Sequence, residues 1–94
     1  MADKKYKRII DGKFDGKTTF KEVAGMTDEE FHGLLQLGHL YYTQGRTESA
    51  QKVLEGLAVL DPDHKLVQSA LGALYTRTGD NEAALQALNK AAQL

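Results

Sequence analysis

An all-α fold is predicted for this chain: a short α-solenoid of two helix-turn-helix repeats behind an N-terminal extension. Three observations point to it. Sliding the sequence by 34 residues lays 31–60 over 65–94 without a gap, and ten of the 30 positions are identical. A fixed period of that size marks stacked supersecondary units. Within each unit the apolar residues recur at spacings of three and four, the signature of a helix with one buried face. Gly45, Gly79 and the single proline, Pro62, fall between the periodic runs, where turns are needed.

The first helix carries Phe31, Leu34, Leu35, Gly38, Tyr41 and Tyr42 on its apolar face. Thr27 with Glu30 three residues on makes a capping box, and Met26 and Phe31 stand where a hydrophobic staple packs. Gly45 ends this helix in the left-handed conformation. A second helix is expected from about Thr47 to Leu60, with Ala50, Val53, Leu54, Leu57 and Ala58 inward, stopped by Asp61-Pro62. In the second unit Asp63 is the expected cap of a helix over about 64–78, and Gly79 its terminator. Asp80 caps a last helix over about 81–93, with Ala84, Leu85, Leu88 and Ala91 expected inward. Gly38, Gly72, Ala50 and Ala84 are small so that paired helices can approach closely.

Residues 1–26 are expected to form an N-terminal arm, and 27–94 a two-repeat domain with repeats over about 31–62 and 65–94. The arm holds seven basic and four acidic residues, the remainder five and nine. A short helix at about 4–11, with a strand turning at Asp11-Gly12 as the alternative, and a helical turn at about 19–24 are expected there. Packing on the chain's own repeats, a dimerisation role and a solvated basic tail all stay open.

Composition narrows the function. A chain of 94 residues makes one domain at most, and it buries only roughly 60–65% of its unfolded surface. Net charge is −1, which gives no reason to expect nucleic-acid binding. No apolar run approaches the length of a membrane span, and the basic start lacks the apolar stretch of a secretory signal. With no cysteine, disulfides, thiolate metal sites and cysteine nucleophiles are all excluded. A cytoplasmic location is expected.

The repeats resemble the tetratricopeptide repeat family. Repeat one supplies Leu34, Leu37-Gly38, Tyr41, Ala50, Leu54, Leu57 and Pro62; repeat two supplies Gln68, Leu71-Gly72, Tyr75, Ala84, Leu88 and Ala91. Gln68 departs from the family at a large apolar position, and Leu57 stands where alanine is usual. A narrower resemblance runs from Thr19 to Phe31 and on through Leu35–Arg46, which is similar to the class II chaperones of bacterial type III secretion. Those chaperones usually carry three repeats and a closing helix, more than this sequence shows. That resemblance implies a cytoplasmic chaperone whose concave groove holds an extended, partly hydrophobic segment of a secretion substrate. The alternative is an assembly adaptor or self-associating scaffold subunit with no client. In either case the partner is a protein or peptide, with self-association as a dimer, no membrane insertion and no cofactor.

By family position the groove is expected to expose His32, Leu35, His39, Tyr42 and Thr43 from repeat one, and Leu66, Ser69, Ala73, Thr76 and Arg77 from repeat two. Such a surface suits a peptide and is poorly suited to chemistry. Tyr42 is the first choice among them, for its large contact area at low entropic cost. The Lys and Asn clamp by which one subclass of the family grips a terminal carboxylate has Leu35, His39, Ser69 and Ala73 in its places, which cannot form it. His32 and His39 stand roughly 10 Å apart along one helix face, too far to share one zinc ion. Asp28-Glu29-Glu30 resembles a carboxylate cluster but falls in a first helical turn, where the helix dipole favours acids. No phosphate-binding loop or nucleophile motif is present, and no enzymatic activity is expected.

Overall fold

A computed structural model describes residues 24–94. Four helices follow one another: α1 (Asp28–Thr43), α2 (Thr47–Leu60), α3 (Lys65–Thr78) and α4 (Asn81–Gln93). Neighbours in sequence pack against each other, and α1 also meets α3. The architecture is therefore all-α, two helix pairs stacked side by side. The helix expected at about 4–11, and the turn expected at about 19–24 apart from its last residue, lie outside the described residues.

Most of the local signals work as expected. The Thr27 hydroxyl accepts from the Glu30 N–H at 3.1 Å, and Glu30 Oε1 accepts from the Thr27 N–H at 3.1 Å. Those bonds favour the charged form, so the Glu30 carboxyl is held below its ordinary range, the Thr27 backbone bond contributing most. Met26 packs on the cluster that contains Phe31. Gly45 and Gly79 take φ of 77° and 84°, the left-handed turn that releases each pair's first helix into its second. Asp80 caps α4 by accepting from the Ala83 N–H.

Three expectations are corrected. Asp63 does not cap α3. His64 occupies that position without a side-chain cap bond, its ring lying against Phe31 at 5.0 Å, while the Asp63 carboxylate faces Lys90 Nζ at 3.8 Å. Leu85 does not face inward, being 60% exposed, and Leu88 packs on Gly72 yet stays 45% exposed, while Ala84, Ala87 and Ala91 are buried. The helical period was right, but α4 packs mainly on α3, so its core stripe is narrower. Leu35 is 8% exposed and belongs to the core rather than to an open surface.

The core runs through both pairs, from Phe31, Leu35, Ala50, Leu54 and Leu57 to Val67, Leu71, Leu74 and Ala87. Close approach within each pair depends on glycine. A Cβ on Gly38 would stand 3.0 Å from Leu54 Cδ2, and one on Gly72 only 2.4 Å from Leu88 Cδ2. Ala50 and Ala84 are buried as well. Polar contacts also help to join the pairs. Gln68 is buried, and its Nε2 donates to the Pro62 carbonyl at 2.9 Å, which explains an amide at a normally apolar position. The Tyr75 hydroxyl on α3 donates to Glu55 Oε1 on α2 at 2.6 Å. Burial, with the Glu55 bond and charge and the Asp80 charge behind it, pushes the Tyr75 phenol up to about 12.

Two outcomes follow in chemical denaturation. Gly72→Ala costs about 1–3 kcal/mol through overpacking against Leu88. Gly56→Ala, with nothing within 4 Å of the new Cβ, gains up to about 1 kcal/mol of helix propensity. Equal effects at the two positions would contradict the close-approach argument. Because the folded Tyr75 pKa lies above its ordinary value of 10, its contribution is complete below pH 10 and fades as pH rises toward 12. Tyr75→Phe therefore flattens the loss of stability across that window; parallel curves for the two proteins would refute the link.

Candidate functional site

The groove is built on α1 and α3, the first helices of the two pairs. Residues 34 apart occupy matching places along it: His32 with Leu66, Gln36 with Ala70, and His39 with Ala73. At its centre Leu35, Gln36 and His39 from α1 and Leu66 and Ala70 from α3 enclose an open pocket of about 290 Å³. Leu35 lends only the edge of a buried side chain to the pocket, whereas Leu66 is 57% exposed beside it. An apolar floor flanked by an amide and an imidazole can grip an aliphatic side chain and orient a peptide backbone beside it.

Toward the start of α1 the groove widens into a second pocket of about 470 Å³, lined by Asp28, Glu29, Phe31, His32, Gly33, Gln36 and His64. Gln36 lines both pockets, which therefore lie next to each other. Gly33 keeps this end open, since nothing lies within 4 Å of where its Cβ would stand. The carboxylates of Asp28 and Glu29 make it acidic. The buried Nδ1 of His64 has no hydrogen-bond partner among the described residues.

The opposite end is closed by a contact between the pairs. The Arg77 guanidinium lies over the half-buried Tyr42 ring, 3.6 Å from its centroid, and Arg77 Nη1 donates to the Tyr42 carbonyl at 2.6 Å. His39 stacks toward the same ring at 6.4 Å. Tyr42 and Arg77 are thus committed to each other. The hydroxyls of Thr43 and Thr76 are turned back onto the carbonyls of Leu40 and Gly72. Ser69 and Ala73 are exposed along α3.

The structure therefore brings His32, Leu35, His39 and Leu66 together at the two pockets and places Tyr42 and Arg77 at the end wall. Sequence reasoning missed Gln36 and Ala70. Their signal was available, because they are one repeat apart and each lies four residues from a position already on the groove face. It also missed Phe31 and His64, whose contact joins a core residue to a loop and has no periodic signature. Among the described residues no group of three His, Cys, Asp or Glu could hold a metal ion. No helix among them is long and apolar enough to cross a membrane.

Comparison with known families agrees with this geometry. The tetratricopeptide repeat model matches residues 41–94, and the chain belongs to that family. No curated protein and no solved structure matches the chain. The match covers α2, α3 and α4 with the last residues of α1; the lead-in at Thr19–Phe31, one part of the likeness to secretion chaperones, lies before it. Membership in this family makes the chain a protein-binding module.

Proposed function

We propose that the α1–α3 groove holds an extended peptide segment of a partner protein, with one aliphatic side chain of that segment seated between Leu35, Leu66 and Ala70. The observation that carries this reading is the central pocket, largely apolar and bordered at Gln36 by a second pocket that Asp28 and Glu29 line. The favoured segment carries Lys or Arg a few residues from its aliphatic anchor. The finer role, a cytoplasmic chaperone for a type III secretion substrate, is supported by the sequence likeness of Thr19–Arg46 alone.

Selection from a displayed peptide library tests the groove. Enriched peptides share an aliphatic residue near a basic one, and Leu66→Glu weakens their binding about tenfold or more, equivalent to about 1.4 kcal/mol. Leu66 is more than half exposed, so this change leaves the core intact. Undiminished binding to both Leu66→Glu and Ala70→Arg would refute the groove reading.

The scaffold reading has its own observation. Leu85 and Leu88 lie three residues apart on α4, and both are substantially exposed, Leu88 beside its contact with Gly72, as is Leu94. Exposed apolar surface of this kind marks contact sites. It supports self-association, most simply as a two-fold dimer. Sedimentation equilibrium at micromolar concentration is expected to give twice the 10.4 kDa chain mass, and Leu85→Lys to shift it toward the monomer value. A compact monomer for the unmodified chain would overturn the dimer.

A further inference from the structure

We propose that copies of this chain stack end to end, with α4 of one copy meeting α1 of the next as α2 meets α3 inside a single chain. The inference rests on the self-association reading and names the surface that α4 meets: the outer side of α1 in a second copy. Three observations support it.

The first lies at the α1 end. Residues 34 apart hold matching places in the two pairs, so α3 shows which residues a helix in this place buries when another pair precedes it. On α3, Val67 and Leu74 stand two turns apart on one face, and both are fully buried. Their matches on α1 are Gly33 and Leu40, of which Gly33 is exposed and Leu40 is 49% exposed. Each of the two helices packs on the second helix of its own pair, but α3 also meets the first pair through α2 and α1. Leu40 thus occupies a joint position of the repeat with half of its surface open.

The second lies at the α4 end. Leu54 on α2 is 1% exposed, whereas its match Leu88 is 45% exposed. Leu60 packs on the core at the end of α2, and its match Leu94 is 46% exposed. Leu85 adds a further exposed leucine beside Leu88. The two ends of the repeat array therefore carry opposite halves of the joint that the chain already makes once, between its own pairs. Repeat arrays gain stability from each such neighbour contact, and their ends stay soluble alone only when faced with polar residues. A symmetric pair of α4 against α4 leaves Leu40 bare, while joining unlike ends covers both.

The third is the chemistry of the two faces. Gly33, Leu37, Leu40 and Gln44 follow one another at helical spacing along α1, and Leu85, Leu88, Asn89 and Ala92 along α4; neither stripe includes a charged residue. Bringing them together takes no ion out of water. The polar contact of the internal joint has its match as well. There the Tyr75 hydroxyl donates to Glu55; in the joint between copies the matching residues are Tyr41 and Asn89, again a phenol and a side-chain oxygen. Contact between unlike surfaces leaves one free end of each kind, so the species of two copies is the first step of a growing stack. In that stack α1 of the second copy lies beside α3 of the first, and the peptide groove continues across the joint.

Sedimentation equilibrium of the unmodified chain, carried from micromolar to millimolar concentration, is expected to give a mass that passes twice the 10.4 kDa of one copy and keeps rising. Leu40→Lys blocks the α1 end and Leu85→Lys the α4 end; both residues are exposed, so both variants keep the helical fold. Either variant alone is expected to stay at the mass of one copy, because every joint it can form contains the lysine. An equal mixture of the two is expected to reach twice that mass and stop, since one intact α4 end and one intact α1 end remain to meet. A mass fixed at two copies for both the unmodified chain and Leu40→Lys assigns the contact to a symmetric α4 pair; it overturns the stack while self-association stands. A mixture that stays at one copy while the unmodified chain associates overturns the stack as well. An unmodified chain that stays at one copy throughout overturns self-association and the stack together.

Discussion

Two glycines set the distance between the helices of each pair, and the rest of the structure follows from that distance. At Gly38 the α1 backbone lies against Leu54, and at Gly72 the α3 backbone lies against Leu88, so the same leucine-to-glycine contact is made twice, 34 residues apart. A side chain at either glycine would push the pair open. The buried alanines Ala50 and Ala84 could then no longer reach the facing helix, and the apolar stripes that meet in the core would part. Close pairing also places α1 and α3 side by side, and the groove between them is the product of that arrangement.

The two pairs are alike in sequence but not in surroundings. Leu54 is buried because α3 covers α2 on its far side; its counterpart Leu88 touches Gly72 with one edge and is exposed on the other. Leu57, the departure from the family pattern, fills space where the pairs meet, whereas the equivalent Ala91 is small and sits on α4. Repeat sequences thus report which face of a helix is apolar, while neighbouring helices decide how much of that face is covered.

Much of the fold was legible from residues with short-range consequences. Thr27 and Glu30, Gly45, Gly79 and Asp80 act within one turn of themselves, and their roles were read correctly. Asp63 was misread because a histidine ring found a better partner in Phe31, a contact made across 33 residues. Leu85 was misread, and the burial of Leu88 overstated, because periodicity carries no information about a neighbouring helix. The repeat register pointed to His32, Leu35, His39 and Leu66, which line the two pockets. The same register presented Tyr42 and Arg77 as available surface, when the two are bound to each other across 35 residues. Gln68 appeared as a departure from the family, and its reason, the Pro62 carbonyl, is visible only in three dimensions.

The clasp between Arg77 and Tyr42 also bears on how the molecule melts. Helix α1 has no basic residue in its own last turn. The cation that offsets its carbonyl end comes from α3, through a bond to a backbone oxygen as well as through the ring. The first pair therefore borrows its terminal charge from the second. Fraying of α3 strips α1 of its counter-charge, and loosening of α1 sets Arg77 adrift, so the two halves unfold together as one cooperative unit rather than as independent hairpins.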